Sequence, residues 1–449
     1  MKVQLIRPKP HADTIGLQSI MICEPLELEY LAAAIKSKHQ VEIIDMILEK
    51  KPLEHFIAGY RPEVVGITGY ISHINVIREY AATIKKCNPE IKVIVGGVHA
   101  EVVPEDFYHR DIDFIVTGGG LAAFPELLDG IAAGRIAGHD GPVCVGSKTA
   151  EVPRLYPDRK ITAKYRNKYY YVFHNPCALL KTSYGCPYSC EFCFCRQITA
   201  DQYYEREIAD VIEEIKTIQE REIYIVDDNF LFSPERVRYF CRLLQENRLQ
   251  KQFLVYGRAD FIAQNEDVIK IFKEVGLRAV IVGLETAKEA ELVKYNKKSS
   301  IAVNEQAVEV LRRHRVDCYA TLILGVDWDE KDFNHLYHWL KKNKLSYINL
   351  QPFTPLPGTP LFEEYQDRLI VPRSLYEQWD LANLVVQPSR ISGAGYYYHI
   401  LKLYCRLTLN PRSLGKNLKY GLLPNLKLAL GVSRIARQYV VKMLKAGKR

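Results

Sequence analysis

Short runs of β-branched residues alternate with helical stretches along the first 135 residues. The runs occupy residues 3–6, 41–45, 64–68, 92–97 and 113–117. Apolar strands that alternate with helices are typical of a parallel sheet covered on both faces. The pattern therefore predicts a doubly wound parallel sheet in residues 1–135.

A second series of strands predicts a second domain in residues 178–370. Its apolar runs occupy residues 178–182, 223–227, 253–257, 279–283, 318–323 and 347–350, and each of the first five precedes a helical stretch. Six such units form a partial barrel, and its catalytic residues are expected at the carboxyl ends of the strands. The predicted fold class is therefore α/β, with a flavodoxin/Rossmann-like sheet followed by a partial (β/α)6 TIM-type barrel. Residues 136–177 carry few periodic signals and are interpreted as a linker.

The last region, residues 371–449, is basic and predicted to be mainly helical. No acidic residue follows Asp380, whereas 13 lysines and arginines lie between Arg390 and Arg449. Apolar residues recur there at roughly helical spacing between 426 and 444. Such a helix can lie on an anionic membrane surface or pack on the barrel, and the sequence leaves both open. Nucleic-acid binding is less favoured, because aromatic stacking residues are sparse at this end of the chain.

Composition favours a cytoplasmic enzyme. The chain has 449 residues, 48% of them hydrophobic and 25% charged, enough for two cores. No apolar run is long enough to span a membrane, and residues 1–6 read as a strand rather than a signal peptide. The odd number of 11 scattered cysteines indicates a reducing compartment.

Three cysteines follow the first barrel strand at unusual spacing. Cys186, Cys190 and Cys193 form a Cys-x-x-x-Cys-x-x-Cys motif. Three thiolates leave one iron of a cubane cluster open for chemistry. Zinc would need a fourth ligand, and neither Cys195 nor His174 gives the paired spacing of zinc sites. A redox pair would need a small thioredoxin-like unit. An iron-sulfur cluster is therefore the preferred interpretation.

The motif resembles the signature of the radical S-adenosylmethionine (SAM) superfamily. The resemblance implies a [4Fe-4S] cluster whose open iron binds SAM, and one electron that cleaves SAM to a 5'-deoxyadenosyl radical. It also implies that Phe192 packs against the adenine, and that a flavodoxin or ferredoxin supplies the electron.

Polar residues at other strand ends are candidates for binding SAM. Asp228 ends the second barrel strand, and Arg258 follows the third, where its planar fork could pair with the methionyl carboxylate. Glu285 resembles the glutamate of the family's Gly-x-Glu motif, which contacts polar groups of the cofactor. A structural ion pair is the alternative for Arg258 and Glu285. Asn229 or Ser233 is expected to cap the helix that begins near residue 234.

The first domain resembles the cobalamin-binding domain of one class of these enzymes. The resemblance rests on residues 24–33, 96–100 and 113–116, together with Pro104 and Glu105. Loops with Thr68, Gly96, Gly97 and Gly118 are expected to gather at the carboxyl edge of the sheet, where glycines let a ligand approach closely.

Three departures bear on cobalamin. Residues 118–121 read Gly-Gly-Gly-Leu where the family usually has Gly-Glu-Gly-Glu, and Glu27 replaces a glycine. The cobalt-ligating Asp-x-His-x-x-Gly motif is absent. The domain is therefore expected either to hold cobalamin without a histidine ligand or to persist as a scaffold.

The leading hypothesis is cobalamin-dependent methylation of an unactivated carbon through a 5'-deoxyadenosyl radical. The alternatives are radical dehydration, cyclisation or rearrangement without methyl transfer, and a non-enzymatic iron-sulfur or corrinoid-binding protein. The expected substrate is a small or lipid-like molecule rather than a nucleic acid. Contact with the inner face of the membrane through the basic region stays open.

Overall fold

The computed structural model describes residues 1–136, 141–146, 155–408 and 418–447. They form a six-stranded sheet, a six-stranded open barrel and a helical C-terminal region. Within the described residues, no helix is both long and apolar enough to cross a membrane.

The first sheet is entirely parallel, with strand order β2-β1-β3-β4-β5-β6. Its strands are β1 (Lys2–Arg7), β2 (Gln40–Asp45), β3 (Val64–Thr68), β4 (Lys92–Gly96), β5 (Phe114–Val116) and β6 (Val143–Val145). Its helices are α1 (Leu26–Ile35), α2 (Leu53–Tyr60), α3 (Ile74–Cys87), α4 (Val98–Val102) and α5 (Gly120–Ala132).

Side chains of consecutive strand residues pack into hydrophobic clusters on opposite faces of the sheet. Leu5 belongs to the cluster under α1 and α5, whereas its neighbour Ile6 belongs to the cluster on the other face of the sheet. Val64 and Val65 divide in the same way. Because alternate side chains point to opposite faces, a strand buried on both faces must be apolar throughout.

Strand β6 corrects the predicted boundary of the first domain. It pairs with β5 in parallel, so the sheet continues past residue 135 into the segment interpreted as a linker. Three residues are too few to show a period, which is why the pattern missed this strand.

The barrel strands lie in sequence order, all parallel. They are β7 (Cys177–Leu180), β8 (Glu222–Ile225), β9 (Gln252–Gly257), β10 (Leu277–Glu285), β11 (Asp317–Leu324) and β12 (Tyr347–Pro352). The helices around them are α6 (Cys195–Ile198), α7 (Ile208–Thr217), α8 (Pro234–Glu246), α9 (Ala259–Gln264), α10 (Glu266–Glu274), α11 (Glu289–Lys294), α12 (Ile301–Arg313), α13 (Glu330–Lys342) and α14 (Pro360–Tyr365). All six predicted strands are present.

The first domain closes one edge of the barrel. Strand β7 is an edge strand, and the backbone N–H of Leu179 on it donates to the carboxylate of Glu24 at 2.5 Å. Glu24 is buried and also forms an ion pair with Arg166. Tyr170–Tyr171 add a two-stranded ribbon with Met21–Ile22. The two domains are therefore joined by backbone as well as side-chain hydrogen bonds.

The C-terminal region contacts both domains through two helices and through hydrogen bonds to Asp106. Asp106 of the first domain accepts hydrogen bonds from Arg373 at 2.8 Å and from the Tyr376 hydroxyl at 2.9 Å. Helix α15 (Gly393–Thr408) follows, and α16 (Leu422–Ala446) packs against it. The hydroxyl of Tyr396 on α15 donates to the Leu324 carbonyl at 2.7 Å, so α15 covers the carboxyl end of β11.

Candidate active site

The three predicted cluster ligands share one loop at the mouth of the barrel. Cys186, Cys190 and Cys193 follow β7 and are free, half-buried thiols. Gly185 precedes them with φ at +79°, and a Cβ there would lie 2.2 Å from the carbonyl oxygen of Gln202. Only glycine fits this position, because a side chain would be both strained and crowded.

Hydrogen bonds fix this loop against the segment that follows α11. The N–H of Glu191 donates to the carbonyl of Tyr295 at 3.1 Å, and the side-chain amide of Asn296 donates to the carbonyl of Ser189 at 2.9 Å. These two hydrogen bonds therefore anchor the cysteine loop to the segment around Tyr295.

The charges around the thiols suit a cluster. Burial raises the pKa of Cys190, and the nearby cations Lys297 and Arg258 oppose that effect. A hydrogen bond with the Cys195 thiol lowers the pKa of Cys193. Three free cysteines on one loop, with two cations near Cys190, fit a [4Fe-4S] cluster, whose thiolate ligands bring negative charge.

Glu285 ends β10 in a buried ion pair. Its carboxylate lies 2.6 Å from the ammonium of Lys297, and its backbone φ is +60°, a region that non-glycine residues rarely use. A Cβ at Gly283 would lie 2.3 Å from this carboxylate and 2.9 Å from the ammonium. The Gly-x-Glu spacing thus leaves room for the pair.

Arg258 is held by Asp260, which lies in the first turn of α9. Its Nε donates to Asp260 Oδ1 at 3.0 Å and its Nη2 to Oδ2 at 3.0 Å, while the guanidinium lies 3.7 Å from the centre of the Tyr188 ring. The ion-pair alternative is therefore observed for both residues, with Asp260 and Lys297 as the partners. Contact of Arg258 and Glu285 with SAM stays a prediction.

The two aspartates after β8 have different surroundings. Asp227 is buried and accepts from the N–H of Thr182 at 2.6 Å, which ties β8 to the start of the cluster loop. Asp228 faces the loop, with Oδ1 3.4 Å from the Sγ of Cys195 and Oδ2 3.4 Å from the Nζ of Lys181. Asp228 is thus the aspartate that lies near the cysteines, as a cofactor contact would require.

The helix after β8 begins with a serine cap. The Ser233 hydroxyl accepts from the N–H of Arg236 at 3.2 Å. Asn229, the other candidate, does not cap it; its side-chain amide is buried and has no partner among the atoms that the structure describes.

Phe192 lies directly before the third cysteine of the motif. Its ring meets Tyr295 edge to face at 5.6 Å between centres, and Lys297 Nζ lies 5.9 Å from its centre. Part of the ring stays accessible. Packing against adenine remains a prediction for this ring.

The predicted residues of the first domain meet at one edge of its sheet. Thr68 pairs with Gly96 at the ends of β3 and β4, and a Cβ at Gly97 (φ +101°) would lie 2.6 Å from the Thr68 hydroxyl. Gly118 (φ +56°) follows β5, and its N–H donates to the carboxylate of Glu101. The edge is thus lined by backbone, with little side-chain bulk to exclude a ligand.

Tyr70 follows β3 and lies between this edge and the barrel. Tyr70 is 57% exposed, yet burial raises its pKa, with Glu27, Cys23 and Tyr256 as its electrostatic neighbours. Tyr256 lies on β9 of the barrel and is near enough to Asp228 to respond to its charge, so Tyr70 is close to barrel strands that end near the cluster loop. Helix α4, which follows Gly97, also packs against α6, which begins two residues after Cys193.

His73 follows β3 beside Tyr70. Burial lowers the pKa of His73 to about 4, so the ring is neutral at neutral pH. Its Nδ1 accepts from the N–H of Tyr70 at 3.3 Å. A sheet edge lined by glycine backbone leaves room for a broad, flat macrocycle, and the residues present therefore fit cobalamin.

Two family models match the chain in the order of its domains. The B12 binding domain matches residues 14–128, and the Radical SAM superfamily matches residues 180–340. The chain is a radical SAM protein with a B12-binding domain. Both family resemblances predicted from the sequence are therefore confirmed.

Relatives and a solved structure match most of its length. The hopanoid C-3 methylase of Methylococcus capsulatus is 27% identical over 415 residues, 90% of this chain and 79% of that protein. The anaerobic magnesium-protoporphyrin IX monomethyl ester cyclase of Rubrivivax gelatinosus is 24% identical over 440 residues, 91% of this chain and 78% of that protein. The radical SAM methyltransferase TsrM from Kitasatospora setae, solved with cobalamin and a [4Fe-4S] cluster bound, has a TM-score of 0.68 at 16% identity and full coverage of both chains. The predicted fold class is thereby confirmed.

Sequence reasoning missed two residues of the site. Lys297 lies in an irregular segment between α11 and α12, where Asn296 and Lys298 have positive φ and no period marks the position. Glu101 lies on the short helix α4, and its contact with Gly118 depends on two loops meeting. Spacing along the chain carries no signal for either contact.

Proposed function

We propose that this protein is a cobalamin-dependent radical SAM methyltransferase that methylates an unactivated carbon of a small molecule. The observation that carries the proposal is the contact between the two domains beside both predicted cofactor sites: helix α4, which follows Gly97, packs against α6, which begins two residues after Cys193. Adjacent cofactor sites are what a methyl transfer between them requires. The match to a hopanoid C-3 methylase over 90% of this chain supports methylation.

The residues have distinct proposed roles. Cys186, Cys190 and Cys193 hold the cluster, while Lys297 and Arg258 balance its charge. When bound, the cluster with SAM supplies a radical that abstracts hydrogen, and cobalamin supplies the methyl group.

Radical chemistry without methyl transfer is the second candidate, and the match to the R. gelatinosus cyclase is its support. It is less favoured, because the methylase match is higher in identity and Gly96, Gly97 and Gly118 are present at the edge of the first domain. A non-enzymatic role is also disfavoured, since Asp228, Arg258 and Glu285 all surround the cysteine loop.

The test is anaerobic reconstitution with iron, sulfide and hydroxocobalamin, followed by desalting and a count of bound metal and corrin. We expect about four irons and one corrin per chain, together with 5'-deoxyadenosine when SAM and a reductant such as flavodoxin are added. The matched control is a Cys193→Ala variant, which should lose the cluster and 5'-deoxyadenosine formation but keep corrin. If the parent protein binds the cluster but no corrin, radical chemistry without methyl transfer becomes the favoured function.

A further inference from the structure

Helix α16 presents a stripe of aliphatic side chains to solvent. Seven of its residues are 38–78% exposed: Leu422, Leu423, Leu426, Leu430, Val440, Val441 and Leu444. At 3.6 residues per turn they fall within an arc of about 100° on one face of the helix. Single exposed apolar residues are ordinary, but two groups of them on one face of a helix, separated by Ser433 and Arg437, indicate a binding surface.

The opposite face of α16 is already occupied. Tyr439 is buried against Tyr397 and Tyr404, with ring centres 6.0 and 6.5 Å away. Gly431 packs on the loop after β1, where a Cβ would lie 2.6 Å from the Ser19 carbonyl oxygen. The helix therefore cannot rotate to bury its aliphatic stripe without losing these contacts.

Exposed cations accompany the stripe. Helical spacing puts Arg437 within it and Lys427, Arg434 and Lys445 along one border. None of these four forms an ion pair with another residue in the part of the chain that the structure describes. Because no acidic residue follows Asp380, the whole surface is positive.

We propose that the stripe of α16 docks on a membrane surface rich in anionic lipids, with the helix axis parallel to the bilayer. Aliphatic side chains enter the boundary of headgroups and acyl chains, and the cations meet lipid phosphates. The long stem of Arg437 lets its guanidinium reach the headgroups from within the stripe.

Other occupants fit this surface less well. Nucleic acid is bound through aromatic stacking platforms, whereas the exposed stripe is aliphatic. A second copy would bring the same cations face to face in a symmetric contact. The docking proposal is independent of the reaction that the enzyme performs.

The test is sedimentation of the full-length protein with phosphatidylcholine vesicles that contain or lack phosphatidylglycerol. We expect binding only to the anionic vesicles, and less of it as salt is raised. An Arg434→Gln, Arg437→Gln, Lys445→Gln variant should bind about a hundredfold more weakly. The control carries glutamine at Lys50, Lys86 and Lys331, which are exposed elsewhere, and should bind like the parent.

A second variant tests the apolar contribution. Leu426→Gln with Leu430→Gln changes two exposed positions, so the melting temperature should stay near that of the parent while vesicle binding falls. The proposal is overturned if the parent ignores anionic vesicles, or if the cation variant binds as well as its control. Retention by single-stranded RNA or self-association without lipid, in place of vesicle binding, would equally overturn it.

Discussion

The carboxylate of Glu285 and the ammonium of Lys297 form a buried ion pair, 2.6 Å apart, beside the cluster loop. Removing one partner of a buried pair leaves the other charge without compensation. We therefore expect Lys297→Met to lower the free energy of unfolding by about 3 kcal/mol. Urea denaturation measures this, with Lys297→Arg as the variant that keeps the charge.

The same variant should change the redox behaviour of a reconstituted cluster. A nearby cation favours the reduced, more negative state, so Lys297→Met should lower the midpoint potential and Lys297→Arg should restore it. Redox titration followed by electron paramagnetic resonance measures the potential without any substrate. Equal potentials in Lys297→Met and the parent would show that Lys297 is a structural residue only.

Gly283 should tolerate no side chain. A Cβ there meets both members of the ion pair, so Gly283→Ala should destabilise the protein by about 2 kcal/mol. The matched control is Gly59→Ala on helix α2, where a Cβ meets nothing within 4 Å and alanine should stabilise the helix by about 0.5 kcal/mol. A Gly283→Ala variant as stable as the parent would mean that the pair can move aside freely.

Corrin retention should depend on Gly97. Gly97→Ala puts a Cβ at positive φ and 2.6 Å from the Thr68 hydroxyl, which distorts the glycine edge. We expect it to lose corrin on desalting. Gly134→Ala also has positive φ, but with nothing within 4 Å, and should keep corrin. If both variants retain corrin equally, the edge formed by β3 and β4 does not hold it.

Stability should fall with rising pH because of Glu29. Burial raises the pKa of its carboxyl from about 4.5 to about 7, and one oxygen has no partner among the described atoms. Between these values the folded state keeps a proton that the unfolded state releases, so the contribution is full below pH 4.5 and is lost as pH rises through 7.

Glu29→Gln should remove this dependence. Glutamine still accepts the hydrogen bond that the Thr162 hydroxyl donates to this position. We expect the variant to match the parent at low pH and to be more stable above pH 7 by up to about 3 kcal/mol, measured by urea unfolding across the range. The control is Glu126→Gln, an exposed carboxylate. An unchanged pH profile in Glu29→Gln would show that another group dominates.

The sequence predicts most of the architecture, because apolar strands mark their own positions. Eleven strands of the two sheets follow from β-branched runs, and the cysteine spacing locates the loop that carries the metal ligands. The features that the sequence does not predict depend on contacts between segments that are far apart in the chain. Lys297 approaches the cluster loop only because the chain turns back after α11, and its partner Glu285 lies at the end of β10. Spacing cannot reveal an ion pair whose partner lies on another element.

The hydrogen bond between Leu179 and Glu24 means that the two domains are not independent modules. An exposed strand edge invites pairing with other chains, and here a carboxylate of the first domain covers part of that edge. A barrel produced alone would therefore be prone to aggregation. Any exchange of domains between related enzymes would have to carry residue 24 and the segment around Arg166 as one unit with the barrel.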